Sequence, residues 1–248
     1  MGIALAKATG LVKSEIGAPE PPLAAGWEVE LEAARSGLAH LQRALAIALD
    51  AGKRPVSTLG RCAAALGMLP VIARARPDAA VVYFDAHGDC NTPERTTTGY
   101  LGGMVLSGAA GIWDSGLGND LKLSNVVLVG CRDLDPFECE LIGREAIKTV
   151  ELGPDLPVRL RAALAGRSAY VHLDCDVLDP GIVATEYRVP NGLSLSGLRE
   201  ACTVIAEREV VGLEIAEFEA FWADSTPCDP DPLIAALAPL FAALKRKS

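Results

Sequence analysis

The sequence predicts an α/β fold built on a mainly parallel sheet. Short apolar runs suited to buried strands alternate along the chain with longer amphipathic segments, the pattern of βαβ units. The polar residues that stand out, Cys62, Asp85, Asp135, Asp174 and Glu217, each fall just after such a run. That placement suits a parallel sheet, where ligands bind outside the carboxyl ends of the strands at a reversal of strand order. With 248 residues, half of them hydrophobic, residues 1–248 read as a single domain with a substantial core.

The elements follow in order. Residues 1–25 carry little pattern, and Pro19, Pro21 and Pro22 mark 17–26 as an extended connection. Across 28–51, Leu31, Ala34, Leu38, Leu41, Leu45 and Ala48 recur at helical spacing, and Gly52 closes the helix. Residues 55–59 predict a short strand, after which Gly60-Arg61-Cys62 turns into an alanine-rich helix to about residue 75. A strand over 79–84 precedes a Thr- and Gly-rich stretch, 91–111, read as a functional loop. Strands then fall at 126–129, 149–152, 169–173 and 210–215, with helices at 137–148, 157–165 and 196–208. A closing helix spans 232–245, where Lys245, Arg246 and Lys247 complement its dipole.

Charge and composition exclude several functions. A net charge of −9 and a pI near 4.9 argue against a nucleic-acid surface. No apolar run reaches the roughly 20 residues of a membrane span. Lys7 interrupts the mildly apolar start, and no signal-peptidase site follows it. Seven scattered cysteines, an odd number, fit a reducing cytoplasm better than a disulfide framework.

The chemistry concentrates at two strand ends. Asp85-Ala86-His87-Gly88-Asp89 places ligand-type groups at alternate positions, so an extended chain projects all three the same way. Asp174-Cys175-Asp176 repeats the device. Side by side, the two ends would surround one pocket with Asp85, His87, Asp89, Asp174 and Asp176. Packed carboxylates raise one another's pKa, and divalent cations relieve that repulsion. An oxygen-rich set with one imidazole suits Mn²⁺, and carboxylates able to bridge suggest two ions that share and ionise a water. Asp179-Pro180 has the composition of a turn, His172 that of a core or supporting histidine, and His40 that of a surface residue.

Asp85-Ala86-His87-Gly88-Asp89-Cys90-Asn91 and Asp174-Cys175-Asp176-Val177-Leu178-Asp179-Pro180 resemble the two main signatures of the ureohydrolases, the family of arginase and agmatinase. The likeness extends through Gly130-Cys131-Arg132-Asp133-Leu134-Asp135-Pro136 and Gly212-Leu213-Glu214-Ile215-Ala216-Glu217, most of 55–220 in the family's order. It implies an arginase-like three-layer α/β/α fold, a dinuclear manganese centre and hydrolysis of a guanidinium group to urea and an amine. By resemblance, Asp85 and Asp174 bridge both ions, His87 and Asp176 complete one site, and Asp89 the other. Asp89 and Glu217 would be catalytic, with Glu217 holding the guanidinium. Asn91 and Thr98 match groups that bind the substrate α-carboxylate, and Asp135 the one that meets the α-amino group. Those three favour a small guanidino amino acid over agmatine.

Departures sharpen the expectation. The family's GGDH turn falls on Leu59-Gly60-Arg61-Cys62, so Cys62 replaces a metal histidine with a softer donor, leaving that ion weakly or partly bound. A substrate-loop histidine falls on Gly102, and a Thr-Gly-Thr-Pro turn is replaced around Glu186-Tyr187-Arg188. Cys62, Asn91-Thr92-Pro93-Glu94 and Thr98-Gly99-Tyr100-Leu101-Gly102-Gly103-Met104 are similar to a narrower branch that hydrolyses Nω-hydroxy-L-arginine to ornithine and hydroxyurea in D-cycloserine biosynthesis. The family's N-terminal strand is not evident, so the chain is expected to begin late. Three alternatives stand: hydrolysis of another guanidino acid, a single-metal amide hydrolase of the deacetylase kind, and a non-catalytic metal-binding relative. The oligomeric state is open, a homo-oligomer included.

Overall fold

The computed structural model describes residues 1–18, 23, 25–144 and 146–246. Six parallel strands, β1 (Val56–Thr58), β2 (Ala80–Phe84), β3 (Val126–Val129), β4 (Lys148–Val150), β5 (Ala169–Asp174) and β6 (Val210–Ala216), form one sheet in the order β1-β6-β5-β2-β3-β4. Alternate strand residues face opposite layers. Val82, Phe84, Val127, Val129, Val171 and Leu173 pack with helices α6 (Leu156–Leu164), α7 (Leu195–Ile205), α8 (Asp231–Ala236) and α9 (Ala238–Leu244). Val81, Tyr83, Val126, Leu128 and Tyr170 pack with α2 (Trp27–Asp50), α3 (Leu69–Ala75) and α4 (Val105–Ala109) on the other face. The expected three-layer α/β/α arrangement is therefore present.

The chain leaves β2 for β3 in one direction and β5 for β6 in the other. The strand order thus reverses between the adjacent strands β2 and β5, paired from Ala80↔Ala169 to Phe84↔Leu173. A crevice opens beyond their carboxyl ends, the preferred ligand site of such sheets. The two acidic motifs sit there.

Several element boundaries move, each for a physical reason. The helix expected up to residue 75 is a 3₁₀ turn, Cys62–Gly67, followed by α3, in which Pro70 occupies the first turn. Proline has no N–H to donate within a helix interior, so the break falls upstream of it. Pro239 likewise splits the expected closing helix into α8 and α9. The stretch 91–111 is not all loop: it contains a 3₁₀ turn, Gly102–Met104, and α4. The unpatterned start contains a short helix α1 (Gly2–Thr9) that buries Leu5. Helix α5 runs Pro136–Gly143 rather than to residue 148, because Lys148 already belongs to β4. The extended connection around Pro19, Pro21 and Pro22, and Lys247 at the closing end, lie outside the described residues.

Candidate metal centre and substrate site

The two arms are not extended strand. β2 ends at Phe84, and the Asp85 carboxylate turns back to accept the His87 N–H at 2.6 Å. Asp174 ends β5 and accepts the Asp176 N–H at 2.8 Å, opening the 3₁₀ turn Cys175–Val177. Both are aspartate-capped turns, so their groups converge by local hydrogen bonding rather than by strand alternation. Asp176 also accepts the Ala86 N–H at 3.0 Å, which ties one arm to the other.

The result is a buried acidic cluster. Asp85, Asp89, Asp174 and Asp176 are each at most 5% exposed. His87 Nδ1 lies 3.0 Å from Asp176 and 3.3 Å from Asp85. Cys62 enters from the 3₁₀ turn, and its thiol donates to Asp174 at 2.8 Å. Asp85, His87 and Asp176 form one set of converging donor atoms; Cys62, Asp174 and Glu217 form a second, and Cys62, Asp85 and His172 a third. Asp89 stands beside these sets, accepting from the buried Tyr83 hydroxyl at 2.7 Å.

The electrostatics favour a cation among these groups. Burial, then the neighbouring Asp176, pushes Asp85 up to about 6. Burial and Asp85 push Asp89 and Asp174 well above the usual carboxylate range. The Cys62 thiol is raised by burial and then by Asp174. Burial opposes a charged His87, but Asp176 and Asp85 outweigh it and lift the ring to about 12. Asp85 Oδ2 is buried with no hydrogen-bond partner among the described residues. A cluster of hard oxygen donors with an orphan carboxylate oxygen fits one or two divalent cations.

His172 is fully buried as a supporting residue. Its ring stacks on Tyr83 at 3.9 Å, with Nε2 3.3 Å from Cys62 Sγ and Nδ1 2.6 Å from Glu214. Tyr170 donates to the other Glu214 oxygen at 2.6 Å. The Cys62 side of the cluster is thus fixed by a chain of polar groups, of which only His172 was flagged in the sequence.

Glu217, immediately after β6, is 3% exposed and holds a left-handed backbone, φ 57°; Asp89 does the same at φ 49°. Two non-glycine residues in that costly region, both at one crevice, mark a functional site. Glu217 accepts from the Cys62 N–H at 2.7 Å, the Tyr100 hydroxyl at 3.2 Å and Arg61 at 2.9 Å. Burial raises its pKa against those donors. A side chain at Gly102 would run into the Tyr100 ring. The space for a histidine at 102 is therefore taken by the tyrosine that reaches Glu217.

Asn91 and Asp135 come together, the amide donating to the carboxylate at 2.5 Å, and Asn91 Oδ1 is buried without a partner among the described residues. Thr98 lies in an exposed loop, where its hydroxyl accepts the Tyr100 N–H at 3.2 Å; no hydrogen bond to Asn91 or Asp135 is found among the described residues. Two residues that position the site escaped the sequence reading. Glu138 accepts the Cys90 N–H at 2.9 Å and the Asp135 N–H at 3.0 Å, pinning the first arm to α5. Its signal was present: Asp135 and Glu138, three apart at a helix start, spell a capping box. Arg132 donates to the carbonyls of Gly130, Asp176, Val189 and Pro190 at 2.7–3.0 Å, which staples the second arm to the following loop.

Comparison with known proteins agrees with this geometry. Residues 23–226 match the model of the Arginase family. The Nω-hydroxy-L-arginine amidinohydrolase of Streptomyces lavendulae is 40% identical over 217 residues, 88% of this chain and 80% of that protein. An arginase of Staphylococcus aureus strain COL is 30% identical over 169 residues, 62% of this chain and 56% of its own length. The native arginase structure from Bacillus caldovelox at pH 5.6 superposes with a TM-score of 0.77 at 25% identity, covering 94% of this chain and 83% of that one. With the family's model matching residues 23–226 and a 40% identical relative covering most of the chain, this chain belongs to the arginase family.

Proposed function

We propose that the chain is a metal-dependent amidinohydrolase that cleaves a guanidino C–N bond in an arginine-like amino acid, with Nω-hydroxy-L-arginine as substrate and L-ornithine and hydroxyurea as products. The observation that carries this reading is the buried Asp, His and Cys cluster at the β2/β5 crevice with a further buried carboxylate, Glu217, beside it. The identity to the Streptomyces lavendulae enzyme supports the substrate.

Asp85 and Asp174, one from each arm, would help to hold the Mn²⁺ ions. His87 and Asp176 would complete one site, and Cys62 and Asp89 the other. Ions bound there supply Lewis acidity and an ionised water at neutral pH. Glu217 receives the N–H donors of the guanidino group, while Asn91, Asp135 and the loop carrying Thr98 read the amino-acid head. Water oxygen adds to the guanidino carbon, and the bond from that carbon to the side-chain nitrogen breaks. Asp89 takes the proton that the water releases and gives it to the departing amine. Ornithine and hydroxyurea together account for every atom of hydroxyarginine and one water. The seven free cysteines fit a reducing cytoplasm, and among the described residues no helix is long and apolar enough to cross a membrane.

A turnover screen with added Mn²⁺ tests the reading on hydroxyarginine, arginine and agmatine. Polar recognition groups left unpaired penalise an analogue by factors of up to ~10⁴. Agmatine, which lacks the carboxylate, is therefore expected to be far the worst of the three. Agmatine at parity removes the head-group argument, and arginine ahead of hydroxyarginine removes the substrate assignment.

A further inference from the structure

The carboxylate assigned to the substrate guanidine already holds a guanidinium. Arg61 Nη1 lies 2.9 Å from Glu217 Oε2, while the other Glu217 oxygen takes the Cys62 N–H and the Tyr100 hydroxyl. Arg61 also pairs with Glu186 on the loop that follows β5. The next residue, Tyr187, stands 5.4 Å from the His87 ring and 5.7 Å from Tyr100. Arg61 is thus anchored at the mouth of the crevice with its charge beside Glu217. An arginine is protonated at any relevant pH.

We propose that Arg61 is a specificity-determining residue: its resident charge selects uncharged, N-substituted guanidines and disfavours the guanidinium cation. The inference rests on the reading of Glu217 as the guanidine-binding carboxylate. A second guanidinium at Glu217 must either displace Arg61 or sit against it, and like charges juxtaposed on one buried carboxylate repel. A neutral guanidine keeps N–H donors for Glu217 without that repulsion. An N-hydroxy group does this chemically, because its electronegative oxygen withdraws density and lowers the basicity of the guanidine, so the uncharged form is populated near neutral pH. Glu186 is half-exposed and solvent-screened, whereas Glu217 is buried, so the Arg61–Glu217 contact dominates.

The test compares kcat/KM for Nω-hydroxy-L-arginine and L-arginine on the Mn²⁺-loaded full chain, native and as R61Q and R61K. R61Q is expected to reduce the preference for hydroxyarginine at least tenfold, mainly through a lower KM for arginine, while R61K, which keeps the charge, retains it. A ratio unchanged in R61Q overturns the proposal, as does a native preference for arginine. Competitive inhibition of the native enzyme gives the same answer without a variant. Neutral Nω-nitro-L-arginine should bind at least tenfold more tightly than cationic Nω-methyl-L-arginine; equal inhibition contradicts the proposal. E217Q separates the two levels of the argument. Loss of turnover in E217Q with an unchanged R61Q ratio refutes the role of Arg61 alone, whereas an unimpaired E217Q refutes the underlying site.

Discussion

Asp174 shows how much depends on single residues. It ends β5, caps the turn that presents Asp176 and accepts the Cys62 thiol. D174A is expected to lose bound metal and activity together, and metal analysis of the purified variant checks it; full metal content would sink the assignment. Cys62 should hold the weaker ion, because its thiol must lose a proton that burial and Asp174 retain. Cys62→His is expected to raise manganese occupancy. His87, lifted to about 12, also carries a proton that ligation displaces. Each displaced proton makes affinity climb about tenfold per pH unit, so Mn²⁺ binding measured by titration calorimetry should strengthen steeply from about pH 6 to about pH 8. Asp85 steepens the fall below about pH 6, where it too is protonated. In the metal-free chain its raised pKa has the opposite consequence for folding. Ionised Asp85 costs stability above about pH 6, a cost relieved as pH falls through 6 towards 3.8. An affinity flat with pH would contradict this account. The acidic cluster was legible because chemistry restricts which side chains can bind metal; Thr98 was assigned by resemblance, and the structure leaves it exposed in a loop.

At the scale of elements, the strands were read nearly to the residue, because a fully buried parallel strand must be a continuous apolar run. Helices were read less well wherever proline interrupts an apolar pattern, as at Pro70 and Pro239. Asp85 and His87 were expected to converge with Asp89 along an extended strand; the structure instead brings those two together with Asp176, and by another device. Alternation along a strand would need β2 to continue, whereas aspartate-capped turns do the work. What the sequence reading lacked was the support beneath the arms. Glu138 satisfies two backbone N–H groups, and a Cβ at Gly88 would meet its carboxylate at 2.7 Å. Glu138→Ala leaves the buried Cys90 N–H unpaired and is expected to cost about 1–3 kcal/mol, seen as a lower midpoint in denaturant unfolding. Stability unchanged within error would mean that the arm does not depend on α5.

At the scale of the whole molecule, the fold explains why the chemistry sits in one place. Only where strand order reverses do two neighbouring strand ends, here β2 and β5, open a crevice rather than being covered by their connections. The sequence supplies two acidic motifs 89 residues apart, Asp85 and Asp174, and the topology makes them neighbours. That long-range placement is invisible to periodicity; it was posited from two like motifs at strand ends and is accounted for by the strand order. The assembled crevice is expected to bind Mn²⁺ and to hydrolyse a guanidino acid, and the most direct measurement is hydroxyurea release from Nω-hydroxy-L-arginine by the Mn²⁺-loaded chain, before and after chelation. Stoichiometric formation of hydroxyurea and L-ornithine, abolished by chelation and restored by Mn²⁺, is the predicted result. No hydroxyurea from a fully metal-loaded protein would contradict it.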